Sequence, residues 1–192
     1  MNAPLVDAMT EHFPATIEDL YRYTGEGKAE LVDGRIVPLG PVGDMYGSAA
    51  GSVAFSLAEF RRATCALGRV YTSTVVFLCD LPHRKSISPD ASWYTGPRSG
   101  VKFLPQAPDF ACEIRSSDEH SPEVEARIAA KRVDYFAIGT EVVWDVDLHD
   151  DDVIRVYRSE NPESFTIYRH GEFAEAEPAV PGLTMPVDEL FE

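Results

Sequence analysis

The sequence predicts an α/β chain of 192 residues folded as one domain, 1–192. Three observations point there. Asp33-Gly34 stands between two apolar runs, the strongest short-range signal of a two-residue hairpin. Two stretches, 46–66 and 121–139, space their apolar residues at helical intervals. Around them lie short runs rich in β-branched and aromatic residues, RVYTSTVVFLC, FACEIR, EVVWDVD and DVIRVYR, of the kind that fill sheets. The composition, 44% hydrophobic and 10% aromatic, is that of a globular protein and excludes a disordered one. No run approaches the ~18 apolar residues of a membrane helix. The first residues carry neither a basic start nor an apolar segment of signal-peptide length, so a cytoplasmic, bacterial-type protein with no membrane partner is expected.

Residues 1–14 read as a loose arm. Thr16 then caps a short helix with Glu18 and Asp19 in its first turn. Glu30 opens the first hairpin strand. In the helix over 46–66, Val53, Leu57 and Phe60 form the apolar face, and the small residues 47–52 suit close packing on a sheet. RVYTSTVVFLC follows as a central strand. Pro82 and Pro89 bracket a basic loop, and Asp90 opens a short strand ending at Trp93 and Tyr94. FACEIR is the next strand. Ser121-Pro122 then starts a helix with an N-cap and a proline in its first turn. EVVWDVD and DVIRVYR pair around a turn over 148–152. SFTIYR and GEFAEAE read as a further hairpin around His170-Gly171, and the C-terminal apolar pieces dock on the edge of the core.

Charge divides the chain unevenly. The net charge is −15, which argues against a polyanionic partner. Residues 1–60 carry −6 and residues 145–192 carry −10, yet residues 61–132 carry +3. The single positive region contains the candidate chemistry. Strand alternation puts Glu113 and Arg115 on one face, opposite Phe110, Cys112 and Ile114. A carboxylate there can bind a divalent cation, and the arginine beside it can hold a phosphate or simply pair with an acid. Arg115 stays protonated and is no general base. On the following helix, Val124, Ile128, Lys131, Tyr135 and Ile138 fall within an arc of roughly 80°, so Lys131 sits in the middle of the apolar stripe. It either snorkels to the rim or reaches a site at the end of the sheet, where it would orient or deprotonate a water or neutralise phosphate charge. Asp90 reads as a turn cap or a metal ligand, and Glu30 as a further acid. Two or three carboxylates suffice for Mg²⁺, which keeps several waters. The five histidines show no metal-binding spacing, and His120 reads as a loop histidine. Cys65, Cys79 and Cys112 read as buried, reduced thiols with no CxxC pair.

The ordered set Glu30-Leu-Val-Asp-Gly34, Pro89-Asp90, Glu113-x-Arg115 and Lys131-x-x-x-Tyr135-x-x-x-Gly139, followed by VVWDVD, resembles the Uma-type restriction endonuclease family of the PD-(D/E)XK nuclease superfamily. The resemblance runs from about Thr16 to Tyr157. It implies a restriction-endonuclease-like fold, a mixed central sheet flanked by helices with an N-terminal hairpin. It also implies an Mg²⁺ (or Mn²⁺) site from Asp90 and Glu113, with Glu30 auxiliary. The superfamily lysine two residues after the second acid is replaced here by Arg115, its role passing to Lys131. Tyr46 stands where many members carry a histidine, and Ser116-Ser117 where serine-proline is usual. The expected activity is metal-dependent hydrolysis of phosphodiester bonds in nucleic acid, DNA in the first instance, by a possible homodimer. The alternative is a catalytically inactive binding module on the same fold.

Overall fold

A computed structural model describes residues 13–25, 27–115, 121–149 and 152–191. Most of the expected N-terminal arm, together with His120 and Ser116-Ser117, lies outside them.

The N-terminal part folds as its local chemistry dictates. In α1 (Ile17–Tyr21), the Asp19 N–H donates to Thr16 Oγ1 at 3.2 Å, and the Thr16 N–H donates back to the Asp19 carboxylate at 2.9 Å. This is a reciprocal cap that satisfies two otherwise orphaned donors. β1 (Lys28–Val32) and β2 (Arg35–Leu39) pair antiparallel across Asp33-Gly34. Both turn residues have positive φ, 49° and 67°, the requirement of a type I′ turn. The hairpin and α1 share a small core of Leu20, Ala29, Leu31 and Val76.

The main sheet is mixed. It contains β3 (Arg69–Thr72), β6 (Ala91–Tyr94), β7 (Phe110–Ile114), β8 (Val142–Asp147), β9 (Val153–Arg158) and β10 (Asn161–Tyr168), in the order β10-β9-β8-β7-β6-β3. Only β7 and β8 are parallel, joined by the crossover helix α3 (Pro122–Ala137); every other neighbouring pair is antiparallel. Helices cover both faces. α2 (Asp44–Thr64) packs Val53 and Leu57 against Trp93, Phe110, Cys112 and Trp144. α3 covers the opposite face, where Tyr135 meets Ala111, Val143 and Tyr94. Both faces of β7 are therefore closed, which is why Ala111 and Cys112 are alike inaccessible. No described helix is long and apolar enough to cross a membrane.

Five expectations need correction. RVYTSTVVFLC is not one central strand. The polar residues Thr72-Ser73-Thr74 turn the chain, with the Val75 N–H bonded to the Thr72 carbonyl at 3.2 Å. β3 therefore ends as the outer strand of the sheet, while β4 (Phe77–Leu78) leaves to pair with β5 (Ser86–Ile87). The residues around His170-Gly171 do not join a hairpin: β10 pairs with β9, and β11 (Phe173–Glu175) pairs with β12 (Thr184–Pro186). The C-terminal pieces do not dock at an edge. Val180, Leu183, Met185, Val187 and Leu190 are buried in the main core with α2. Of the small residues over 47–52, Ala49 packs on the sheet, whereas Gly47, Ser48 and Gly51 face outward. Finally, Cys112 is buried, but Cys65 is exposed at the left-handed C-cap of α2.

Candidate active site

Four elements bring acids and bases together at one end of the sheet. Asp90 immediately precedes β6, Glu113 lies near the end of β7, Glu30 comes from the N-terminal hairpin, and Lys131 comes from α3. The lysine is the hinge of the arrangement. Its Nζ lies 2.9 Å from Glu113 Oε2 and 3.1 Å from Glu30 Oε1. It therefore does not reach bulk solvent, and the apolar stripe of α3 carries it into the site. Tyr135, one turn further on, donates its hydroxyl to Glu113 Oε1 at 2.5 Å. Asp90 accepts from the Ile114 N–H at 2.9 Å and from Lys28 Nζ at 2.8 Å. Thus the residue next to Glu113 in the strand fixes Asp90, and the two carboxylates are held in register with each other.

Several partners were missed in the sequence. Lys28 shares a strand face with Glu30, so period-two alternation could have found it. It also donates to the Ser88 carbonyl at 3.0 Å. Arg84, read as part of a basic loop, is buried between Glu30 and Asp134, donating to the latter at 2.7 Å. No local pattern marks it, because its partners are ~50 residues away. Tyr46, on α2, lies near Asp90; burial and then the Asp90 carboxylate push its hydroxyl well above the usual phenol value.

Arg115 is placed differently from the other four candidates. Its guanidinium forms a bidentate pair with Asp145, at 2.6 and 2.7 Å, and also contacts Glu125. It is buried and turned toward β8 and α3 rather than paired with Glu113. A cavity of about 40 Å³ lies between these groups, lined by Glu113, Arg115, Lys131, Tyr135 and Asp145. Ile114, Ile128 and Val143 complete its wall, so charged groups and apolar side chains face each other across a space large enough for a water.

The electrostatics follow from the crowding. Burial pushes the Glu113 carboxyl up; Lys131 opposes this, and the charges of Asp90 and Glu30 add to it. Burial would lower the Lys131 ammonium, but Glu113, Glu30 and Asp90 outweigh it and hold the lysine charged, above its ordinary value. Glu30 behaves oppositely to Glu113: burial would raise it, but Lys131, Arg84 and the Ser88 N–H together hold it below the ordinary carboxylate value. Folding therefore favours the Glu30 carboxylate. Its contribution to stability is fully present above its unfolded value of 4.5 and is lost as pH falls through the lower folded value. Urea melts at a series of acid pH values should show this loss in the wild type and a shallower one in Glu30→Gln. Equal slopes would contradict it.

Asp90 and Glu113 offer hard oxygen donors, and each carboxylate oxygen keeps a lone pair beyond its present hydrogen bond. Burial raises Glu113 first and the charge of Asp90 adds to it; a divalent cation would offset that second contribution. Hard oxygen donors of this kind suit a divalent cation. Among the described residues no three His, Cys, Asp or Glu side chains form a group that could hold a metal ion by themselves.

A family model described as "Uma2: Putative restriction endonuclease" matches residues 17–188. The chain belongs to this family. The crystal structure of "a putative nuclease belonging to DUF820" from Anabaena variabilis shares the fold of this Uma2 chain, with a TM-score of 0.71 over 93% of this chain and 98% of that one, at 18% identity. The comparison with curated proteins gives no match. Both the family resemblance and the mixed sheet flanked by helices hold, and the family points to a nuclease.

Proposed function

We propose that this protein is a metal-dependent endonuclease of the PD-(D/E)XK type that hydrolyses phosphodiester bonds, with DNA as the first substrate to test. The observation that carries this reading is Lys131 Nζ bridging Glu113 and Glu30 while the Glu113 strand fixes Asp90. Acids from three strand-associated segments and a lysine from a helix meet in one place, and no folding role requires all four.

Asp90 and Glu113 would hold the cation, which when bound lowers the cost of generating a hydroxide at neutral pH and of charge on the leaving oxygen. Lys28 and the Ile114 N–H fix the Asp90 carboxylate, and Tyr135 fixes that of Glu113. Lys131 acts through its charge: it orients a water beside Glu113 or offsets the negative charge that grows on the phosphate. Glu30 holds the lysine in place. Arg84, bonded to both Glu30 and Asp134, braces that acid from behind. Arg115 serves as a structural brace between β7, β8 and α3 and leaves the phosphate role to Lys131.

The test is cleavage of supercoiled DNA, single-stranded DNA and RNA with Mg²⁺ or Mn²⁺. We expect metal-dependent cleavage by the wild type and a loss of about a thousandfold or more in Asp90→Ala and Glu113→Ala. Mn²⁺ should raise the melting temperature of the wild type and not that of Glu113→Ala, because a ligand of the folded state alone stabilises it. Activity that survives both substitutions would overturn the assignment. An Mn²⁺ shift without cleavage of any of the three substrates would favour the binding-module reading.

A further inference from the structure

α2 buries one face on the sheet and leaves the opposite face uncovered by the described residues. At 100° per residue, Asp44, Gly51, Phe55 and Arg62 fall within an arc of about 40° on the outward side. Phe55 is 59% exposed, and Met45 beside the stripe is 55% exposed. A Cβ built on Gly47 or Gly51 meets nothing within 4 Å. A depression of about 540 Å³ runs here, lined by Gly47, Ser48, Gly51, Ser52, Phe55 and Glu189. A bulky aromatic therefore stands in water next to an open floor of small residues.

The stripe is its own complement. Consider a second α2 laid antiparallel across the first, with the two-fold axis at the level of residue 53. Phe55 of each copy then faces Gly51 of the other. In the same register, Asp44 of each copy faces Arg62 of the other. The two charges lie 18 residues apart on one line, about 27 Å along the helix, so both ion pairs form at once. Neither Asp44 nor Arg62 has an ion-pair partner of its own among the described residues. The helix dipoles also run antiparallel. A two-fold interface requires one patch to complement itself, and few surface patches satisfy shape and charge in the same register.

We propose that the chain forms a two-fold homodimer through the outer face of α2, with Phe55 seated on Gly51 and Asp44 paired with Arg62 across the axis. The proposal stands independently of the catalytic reading, since none of these residues belongs to the site.

Sedimentation equilibrium of the full chain over a wide concentration series tests it. The wild type should approach twice the 21.2 kDa of one chain. Phe55→Glu should weaken association about a hundredfold or more, as loss of a central aromatic anchor does. Asp44→Arg or Arg62→Asp alone should weaken it about tenfold, and the two together should return it to within about threefold of the wild type. Far-UV circular dichroism checks folding. Phe55→Glu and Arg62→Asp decide the matter even if the change at the helix start lowers stability. A chain that stays monomeric throughout overturns the proposal, whatever other partner this face takes. So does a dimer indifferent to Phe55→Glu, and so does a double reversal that fails to recover association.

Discussion

Lys131→Ala should lower the melting temperature by roughly 10 °C and reduce cleavage by about a hundredfold or more. The two effects share one cause. Glu30 and Glu113 both contact this ammonium, and Asp90 lies close enough for its charge to be felt there. With the lysine gone, three acids face two cations, Lys28 and Arg84, and Glu113 loses the one counter-charge that opposes burial most strongly. Removing one partner of a buried pair costs more than the pair is worth, because the other charge is left uncompensated. Lys131→Arg restores a cation and should recover most of the stability. Its planar fork cannot occupy the same point between two acids, so activity should stay below about a tenth of the wild type. Thermal melts and the cleavage assay separate the outcomes. Wild-type melting of Lys131→Ala would show that the lysine neutralises nothing in the folded state.

The sequence made some of this site legible and hid the rest, for physical reasons. Lys131 could be found because a charged residue in the middle of a helical apolar stripe violates the 3.6-residue pattern. Asp33-Gly34 fixed the hairpin because φ > 0 at two adjacent residues restricts the chemistry of the turn. Arg84 and Asp134 could not be found. Their pairing joins positions 50 residues apart, and neither breaks a local period. The β3 error has the same origin: β propensity scores a run of residues, whereas three short polar side chains in its middle decide where the strand ends. The pairing of β11 with β12 rather than with β10 depends on the core that the C-terminal segment fills beneath α2, which is tertiary information. For Arg115 the strand face offers Glu113 as the nearest acid. The actual partner, Asp145, lies on the parallel neighbour β8, directly opposite Glu113 in register, and register across a crossover is not written in either strand alone.

The Arg115–Asp145 pair supplies the second large prediction. Arg115→Met should destabilise the protein by about 3–5 kcal/mol, measured by urea unfolding. Asp145 is among the most buried acids, its side chain 2% exposed, and Arg115 gives it two short hydrogen bonds. What remains is Arg132, whose nitrogen lies 3.7 Å from Asp145 while its guanidinium stacks 3.7 Å over the Tyr157 ring. One distant, stacked cation cannot replace a bidentate one. The double variant Arg115→Met/Asp145→Leu should regain most of the loss, since it removes the stranded charge along with its partner. Arg115→Lys separates structure from chemistry. If the arginine only braces β7, β8 and α3, a lysine there loses the bidentate geometry and lowers stability, while the folded fraction should cleave within about tenfold of the wild-type rate. If the arginine instead contacts the substrate phosphate, Arg115→Lys should melt near the wild type and lose cleavage by about a hundredfold. The geometry favours the first outcome, because a guanidinium whose hydrogen bonds already go to Asp145 and Glu125 would have to break a buried pair to reach any phosphate.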